Sequence, residues 1–211
     1  MKIRRLLFAL PALCLLLAAC ESPLPEVSYP VLRFNHLPLI ELNVARIDIV
    51  EKYHSPLQRP HVEHEIPLAP AKAMRNWAND RLRAVGSSGR ATFIIVEASV
   101  KAAPLAKKKG LKAAFTLDQA ARYDARLEAR LEGETAAGLG VAGIARDLAA
   151  AGLGKGFATA TAARHRTMPE AVSINARDDA LYNFVEGAAM DFNRVMTTNI
   201  DRHLTPFIRP K

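Results

Sequence analysis

Tyr123-Asp124-Ala125-Arg126-Leu127-Glu128-Ala129-Arg130-Leu131-Glu132 alternates apolar and charged residues without a slip. In an extended strand, successive side chains point to opposite faces, so this spacing sends every charge to water and every apolar residue to a core. A helix of the same residues would wrap charges around its apolar side. Composition argues the other way, because Ala, Arg, Leu and Glu are good helix formers. The period of two decides: a strand is expected, with Leu127 and Leu131 buried and Glu128 and Arg130 facing water.

Residues 157–167 alternate more weakly and are the expected pairing strand. The Gly/Ala-rich insert at 133–156 is too long for a hairpin turn, and Val141, Ile144, Leu148 and Ala151 fit one short helix within it. Upstream, residues 91–100 form a strand buried on both sides at its start, with Thr92, Ile94, Val96 and Val100 on one face and Phe93 and Ile95 on the other. Before it, Ala71, Met74, Ala78, Leu82 and Val85 recur at helical spacing with Trp77 beside them; Pro70 suits the first turn, Gly86 the end, and Ser87-Ser88-Gly89 a turn. Leu42, Val44, Ile47 and Ile49 mark a first strand at 42–50, bulged between Val44 and Ile47. A loop with four prolines spans 53–70.

The last element is a helix with Asn175 as cap and Asp178 in its first turn. Its stripe is Leu181, Phe184, Val185, Ala188, Phe192, Val195, Met196, Ile200 and Leu204, and Pro206 ends it. The order β-α-β-β-β-α is an α+β layer, a mainly antiparallel sheet with two helices on one face.

Lys2, Arg4 and Arg5 precede an apolar run at 6–17 that closes in Leu17-Ala18-Ala19-Cys20. Positive charge, a short apolar core and small residues before a cleavage point make a secretory signal. A membrane span needs about 20 apolar residues, and this run is shorter and interrupted by Pro11. The stretch resembles the lipobox of bacterial lipoproteins, which implies cleavage after residue 19 and a lipid anchor on Cys20. Residues 20–39, with Pro23, Pro25, Pro30 and Pro38, are then a tether that merges into the fold, and 40–211 a single domain. The formal charge of +8 loses three with the signal, leaving a moderately basic +5. Cys14 leaves with the signal and Cys20 is acylated, so no thiol remains for a disulfide, a metal or catalysis.

Lys101, Lys107, Lys108, Lys109 and Lys112 cluster after the second strand. Such a run is ordinarily a solvated loop; its functional reading is attraction to anionic lipid or lipopolysaccharide head groups, about 1 kcal/mol per basic residue near the surface. Nucleic acid is a poor partner, given export and no interleaved aromatics for stacking. His54, His61 and His64, with Glu63 and Glu65, match no metal-ligand spacing and are polar loop residues. Gly154-Lys155-Gly156 lacks the first glycine and the hydroxyl of a phosphate loop. Gly86-Ser87-Ser88-Gly89 lies between helix and strand, the reverse of a nucleophile elbow. Asp178 and Asp179 fit a helix N-terminus. No catalytic, metal or cofactor site is expected.

Taken with the lipobox, tether and element order, the chain resembles small periplasmic auxiliary lipoproteins, including the LptE-like and ABC-transport-auxiliary (PqiC-like) groups. Residues 59–100, with Pro60-His61-Val62-Glu63-His64 and Arg81-Leu82-Arg83-Ala84-Val85-Gly86, resemble an uncharacterised alphaproteobacterial lipoprotein family. The insert at 133–156 departs from these groups. The resemblance implies a protein without chemistry of its own that supports a transporter or outer-membrane assembly. The expectation is a non-enzymatic, membrane-anchored accessory subunit that binds another envelope protein. Lipid or lipopolysaccharide binding through the lysine cluster is the second reading. Glu21 after the anchor, in place of an aspartate, points to the outer membrane, facing the periplasm.

Overall fold

The structure is a computed structural model that describes residues 28–105, 119–134, 154–169 and 172–208. The elements are β1 (Ile40–Leu42), β2 (Arg46–Glu51), α1 (Pro70–Arg81), β3 (Leu82–Ala84), β4 (Arg90–Pro104), β5 (Gln119–Glu134), β6 (Lys155–Pro169) and α2 (Ile174–His203). A four-stranded sheet runs β2-β4-β5-β6, with β4-β5 and β5-β6 antiparallel and β2-β4 parallel. β1 and β3 form a separate parallel pair. This is an α+β fold.

The alternating stretch is a strand, the centre of β5. Leu127 and Leu131 are 0 % exposed, while Glu128 and Arg130 lie on the opposite face. Propensity yields because both of its neighbours pair with it almost end to end. β5 continues to Glu134 and β6 begins at Lys155, with Gly133 opposite Gly156. The insert is therefore shorter than its sequence suggests, and the helix expected from Val141, Ile144, Leu148 and Ala151 lies outside the described residues.

Several expectations are corrected. In β4 the register against β5 shifts between Ile95 and Glu97. The extra residue reverses the alternation, so Val100 joins Phe93 and Ile95 on the helix-covered face rather than Thr92, Ile94 and Val96. The single first strand is two strands in two sheets: the Asn43 N–H donates to the Phe207 carbonyl at 2.7 Å and the Ala45 N–H to the Ser88 carbonyl at 3.0 Å, which turns the chain where a bulge was expected. The first helix stops at Arg81, because Leu82 and Ala84 pair with Ile40 and Leu42, and the Val85 N–H donates to the Leu42 carbonyl. Gly86 ends this crossing at close quarters; a Cβ there would lie 2.6 Å from the Asn43 carbonyl carbon.

The core lies between the sheet and both helices. Trp77 of α1, Phe93 of β4 and Phe192 of α2 meet with ring centroids 5.3 to 6.3 Å apart, and the Trp77 indole N–H donates to Asn193 Oδ1 at 2.8 Å. Ser173, not Asn175, caps α2, its hydroxyl accepting from the Ala176 N–H. Ser173 alone sits just outside the helix in extended backbone, where a cap must be. The tether region joins the domain early. Leu32 and Phe34 are buried in the core, Tyr29 stacks on Tyr182 at 5.3 Å, and Arg33 grips Asp80 with two nitrogens at 2.6 to 3.1 Å. Among the described residues no helix is long and apolar enough to cross a membrane.

Candidate functional site

Both helices cover one face of the four-stranded sheet, and among the described residues no element covers the other face. On β5 the charges of the alternating stretch form ion pairs two residues apart along the strand: Arg122 with Asp124 at 2.8 Å, Arg126 with Glu128 at 2.7 Å and Arg130 with Glu132 at 2.7 Å. Across strands, Arg126 reaches Glu97 at 2.8 Å, and Glu134 lies between Arg90 at 3.5 Å and Lys155 at 2.9 Å. The ammonium of Lys155 holds the Glu134 carboxyl below its usual range, and Glu128 and Asp124 push the guanidinium values of Arg126 and Arg122 up. The charges thus largely neutralise one another within the face, and exposed pairs of this kind add little stability each.

Apolar side chains interrupt this lattice. Val50 is 39 %, Val96 41 % and Phe157 50 % exposed, and the Arg130 guanidinium lies 3.6 Å above the Phe157 ring. Ile94, on the same face, is shielded to 8 %. Two shallow depressions open here, one of about 380 Å³ around Arg130, Glu134 and Phe157 and one of about 310 Å³ around Ser99, Arg126 and His165. The face ends at β6, fifteen residues long, which has no strand on its far side among the described residues.

The histidine-rich loop is organised for a different reason. β2 covers β4 only as far as Ile95, and the loop seals the remainder of that edge. The Val62 N–H donates to the Val100 carbonyl, the Ala102 N–H to the Pro60 carbonyl, and Glu63 Oε2 accepts from the Val100 N–H at 3.2 Å, where a neighbouring strand would offer a carbonyl. Tyr53 donates to Glu63 Oε1 at 2.5 Å and lies 3.2 Å from His61 Nδ1. Burial pushes the Glu63 carboxyl up, but hydrogen bonds from Tyr53, its own backbone, Ser55 and Val100 outweigh it and hold the group below its ordinary value. Burial and Glu63 together raise Tyr53. His54 is exposed and His64 lies 3.7 Å from Glu65. Among the described residues no three acidic, histidine or cysteine side chains are grouped to hold a metal. The alternation in β5 foretold the charged face; the sealing role of Glu63 had no local signal, because it depends on where β2 stops.

Lys101 is exposed, on the uncovered face. Lys107, Lys108, Lys109, Lys112 and Cys20 lie outside the described residues. Asp179 accepts from the Tyr29 hydroxyl at 2.9 Å, which ties it to the incoming chain. Gly154-Lys155-Gly156 opens β6, with Lys155 paired to Glu134. No protein-family model matches the chain, and no curated protein matches it in sequence.

Proposed function

We propose that the protein is a non-enzymatic accessory subunit, anchored through acylated Cys20 in the outer membrane and facing the periplasm, that binds another envelope protein through β6 and the adjoining uncovered sheet face. The observation that carries this reading is β6 itself. An edge strand of fifteen residues offers a row of backbone donors and acceptors to an incoming strand, with, among the described residues, only the Thr159 carbonyl accepting from a side chain, Asn199 Nδ2, at 2.7 Å; its one proline, Pro169, closes it, and it contains neither Asp nor Glu. The half-exposed Val50, Val96 and Phe157 add apolar area beside that edge without forming a continuous greasy patch, as suits a surface that is wet when unpartnered. The neutralised charges of β5 set register more than affinity.

The test places a photo-crosslinking residue at Thr161 on β6 or at Asn183 on the exposed side of α2, in the anchored protein in native membranes. One protein is expected to be captured from Thr161 and not from Asn183, and Thr159→Lys with Ala163→Lys, on either side of the probe, is expected to abolish that capture while circular dichroism and melting stay unchanged. An anchored, folded protein that crosslinks equally from both positions, or from neither, overturns the reading.

A further inference from the structure

Three features gather at one end of the sheet. The antiparallel register places Pro104 of β4, Ala121 of β5 and Met168 of β6 together there, and α2 begins beside them at Ile174. The first described residues enter near the same end. Tyr29 meets Asp179 and Tyr182, and Arg166 of β6 donates to the Ala180 carbonyl within the same helical turn. From there the chain runs toward Asp80, away from that end.

From this entry point we infer that the end bearing Lys101, Arg166 and Ile174 rests on the anionic surface of the bilayer that holds Cys20; the inference rests on the anchoring reading above. Length decides the geometry. Residues 20–27 span at most about 28 Å when fully extended. A fifteen-residue strand such as β6 is about 50 Å long, and Tyr29, held on Asp179 and Tyr182, lies beside Ala180, the residue Arg166 reaches near the Pro169 end. The opposite end, with Lys155 and His203, is about 35 Å or more farther along the sheet. It lies beyond the tether's reach.

The chemistry of the near end fits a lipid interface. Ile174 is 76 % exposed. A shallow depression of about 550 Å³ is lined by Pro60, Ala102, Ala103, Pro104 and Ala121 with Arg59 at its rim. The carboxylates nearby are occupied: Asp124 by Arg122, Glu65 by Arg59 and Arg177, Asp179 by Tyr29, and Asp178 acts on Arg177. Among the described residues Lys101 has no ion-pair partner, and Arg166 has only the Ala180 carbonyl. Two cations are thus left to face phosphate head groups beside apolar side chains, the arrangement that favours an anionic interface.

The test uses the acylated full-length protein in phosphatidylcholine vesicles with or without phosphatidylglycerol. A polarity-sensitive fluorophore is attached at Ile174→Cys or, at the far end, at Thr205→Cys. The Ile174 probe is expected to shift to the blue on phosphatidylglycerol vesicles and to lose most of that shift with Lys101→Gln and Arg166→Gln together; the Thr205 probe is expected to stay silent. Co-flotation with vesicles and labelled-palmitate incorporation are read in the same samples. A protein that incorporates palmitate and co-floats while the Ile174 probe stays silent, or while Thr205 responds as strongly, overturns the orientation alone. A protein that neither incorporates palmitate nor co-floats overturns the anchoring reading, and this inference falls with it.

Discussion

Arg81 is 4 % exposed, with one guanidinium nitrogen on Thr197 Oγ1 at 3.2 Å and Nε and Nη1 unpartnered among the described residues. Burial lowers its pKa, only partly offset by Asp201. An unmet buried donor costs about 1 to 3 kcal/mol, so Arg81→Met, which keeps the stem and removes the charge, is expected to raise the melting temperature. A lower melting temperature would show that the Thr197 bond outweighs the two orphaned donors. Asp80, on the same helix, is the opposite case. Burial pushes its carboxyl up, but Arg33 and the Phe34 N–H outweigh this and hold it below the ordinary 3.8. A carboxyl with a depressed folded pKa stabilises above its unfolded value and loses that stability as pH falls through the folded one. Denaturant unfolding is thus expected to show constant stability near neutrality and a decline below about pH 4, with Asp80→Asn less stable at neutral pH and less acid-sensitive. An unchanged acid slope in Asp80→Asn would place the decline elsewhere, Glu63 being the next such carboxyl.

At the scale of elements, β5 separates two kinds of position within one strand. Leu127 touches the buried core, so Leu127→Ala is expected to cost about 2 to 5 kcal/mol. Arg126 is half exposed and shares itself between Glu97 and Glu128, so Arg126→Gln is expected to cost under about 1 kcal/mol despite losing two ion pairs. Chemical denaturation of both variants checks the pair. Comparable losses would mean that the charged face carries the fold. This contrast was legible in the sequence, because period two is a local property of ten residues. The end of α1 was not: Leu82 and Val85 continue the helical spacing, and only pairing with β1, some forty residues earlier, draws Leu82–Ala84 into a strand.

For the whole molecule, the anchoring reading predicts that Cys20→Ser blocks acylation. Fatty-acid labelling of wild type and variant checks it; label in the variant, or none in the wild type, would refute it. Tyr29, Leu32, Arg33 and Phe34 are bound into the domain, so on the anchoring reading the tether spans at most residues 20–28. Inserting a long Gly/Ser linker between Val27 and Ser28 is then expected to leave folding intact and to abolish the orientation-dependent response at Ile174, because the reach that fixes the domain would be lost.

The sequence by itself determined the α+β class, the position of β5 and its two faces, a strand over 91–100 and the long terminal helix, since each is written in a period that needs no distant partner. Tertiary structure alone decided that residues 42–50 divide between two sheets, that β2 pairs in parallel with β4, that the register slip at Ile95 moves Val100 to the core, and that Glu63 stands in for a strand carbonyl. The physical reason is common to all four. Backbone donors and acceptors at an edge must be satisfied by whatever the fold brings alongside, and a single chain's local pattern does not say what that will be.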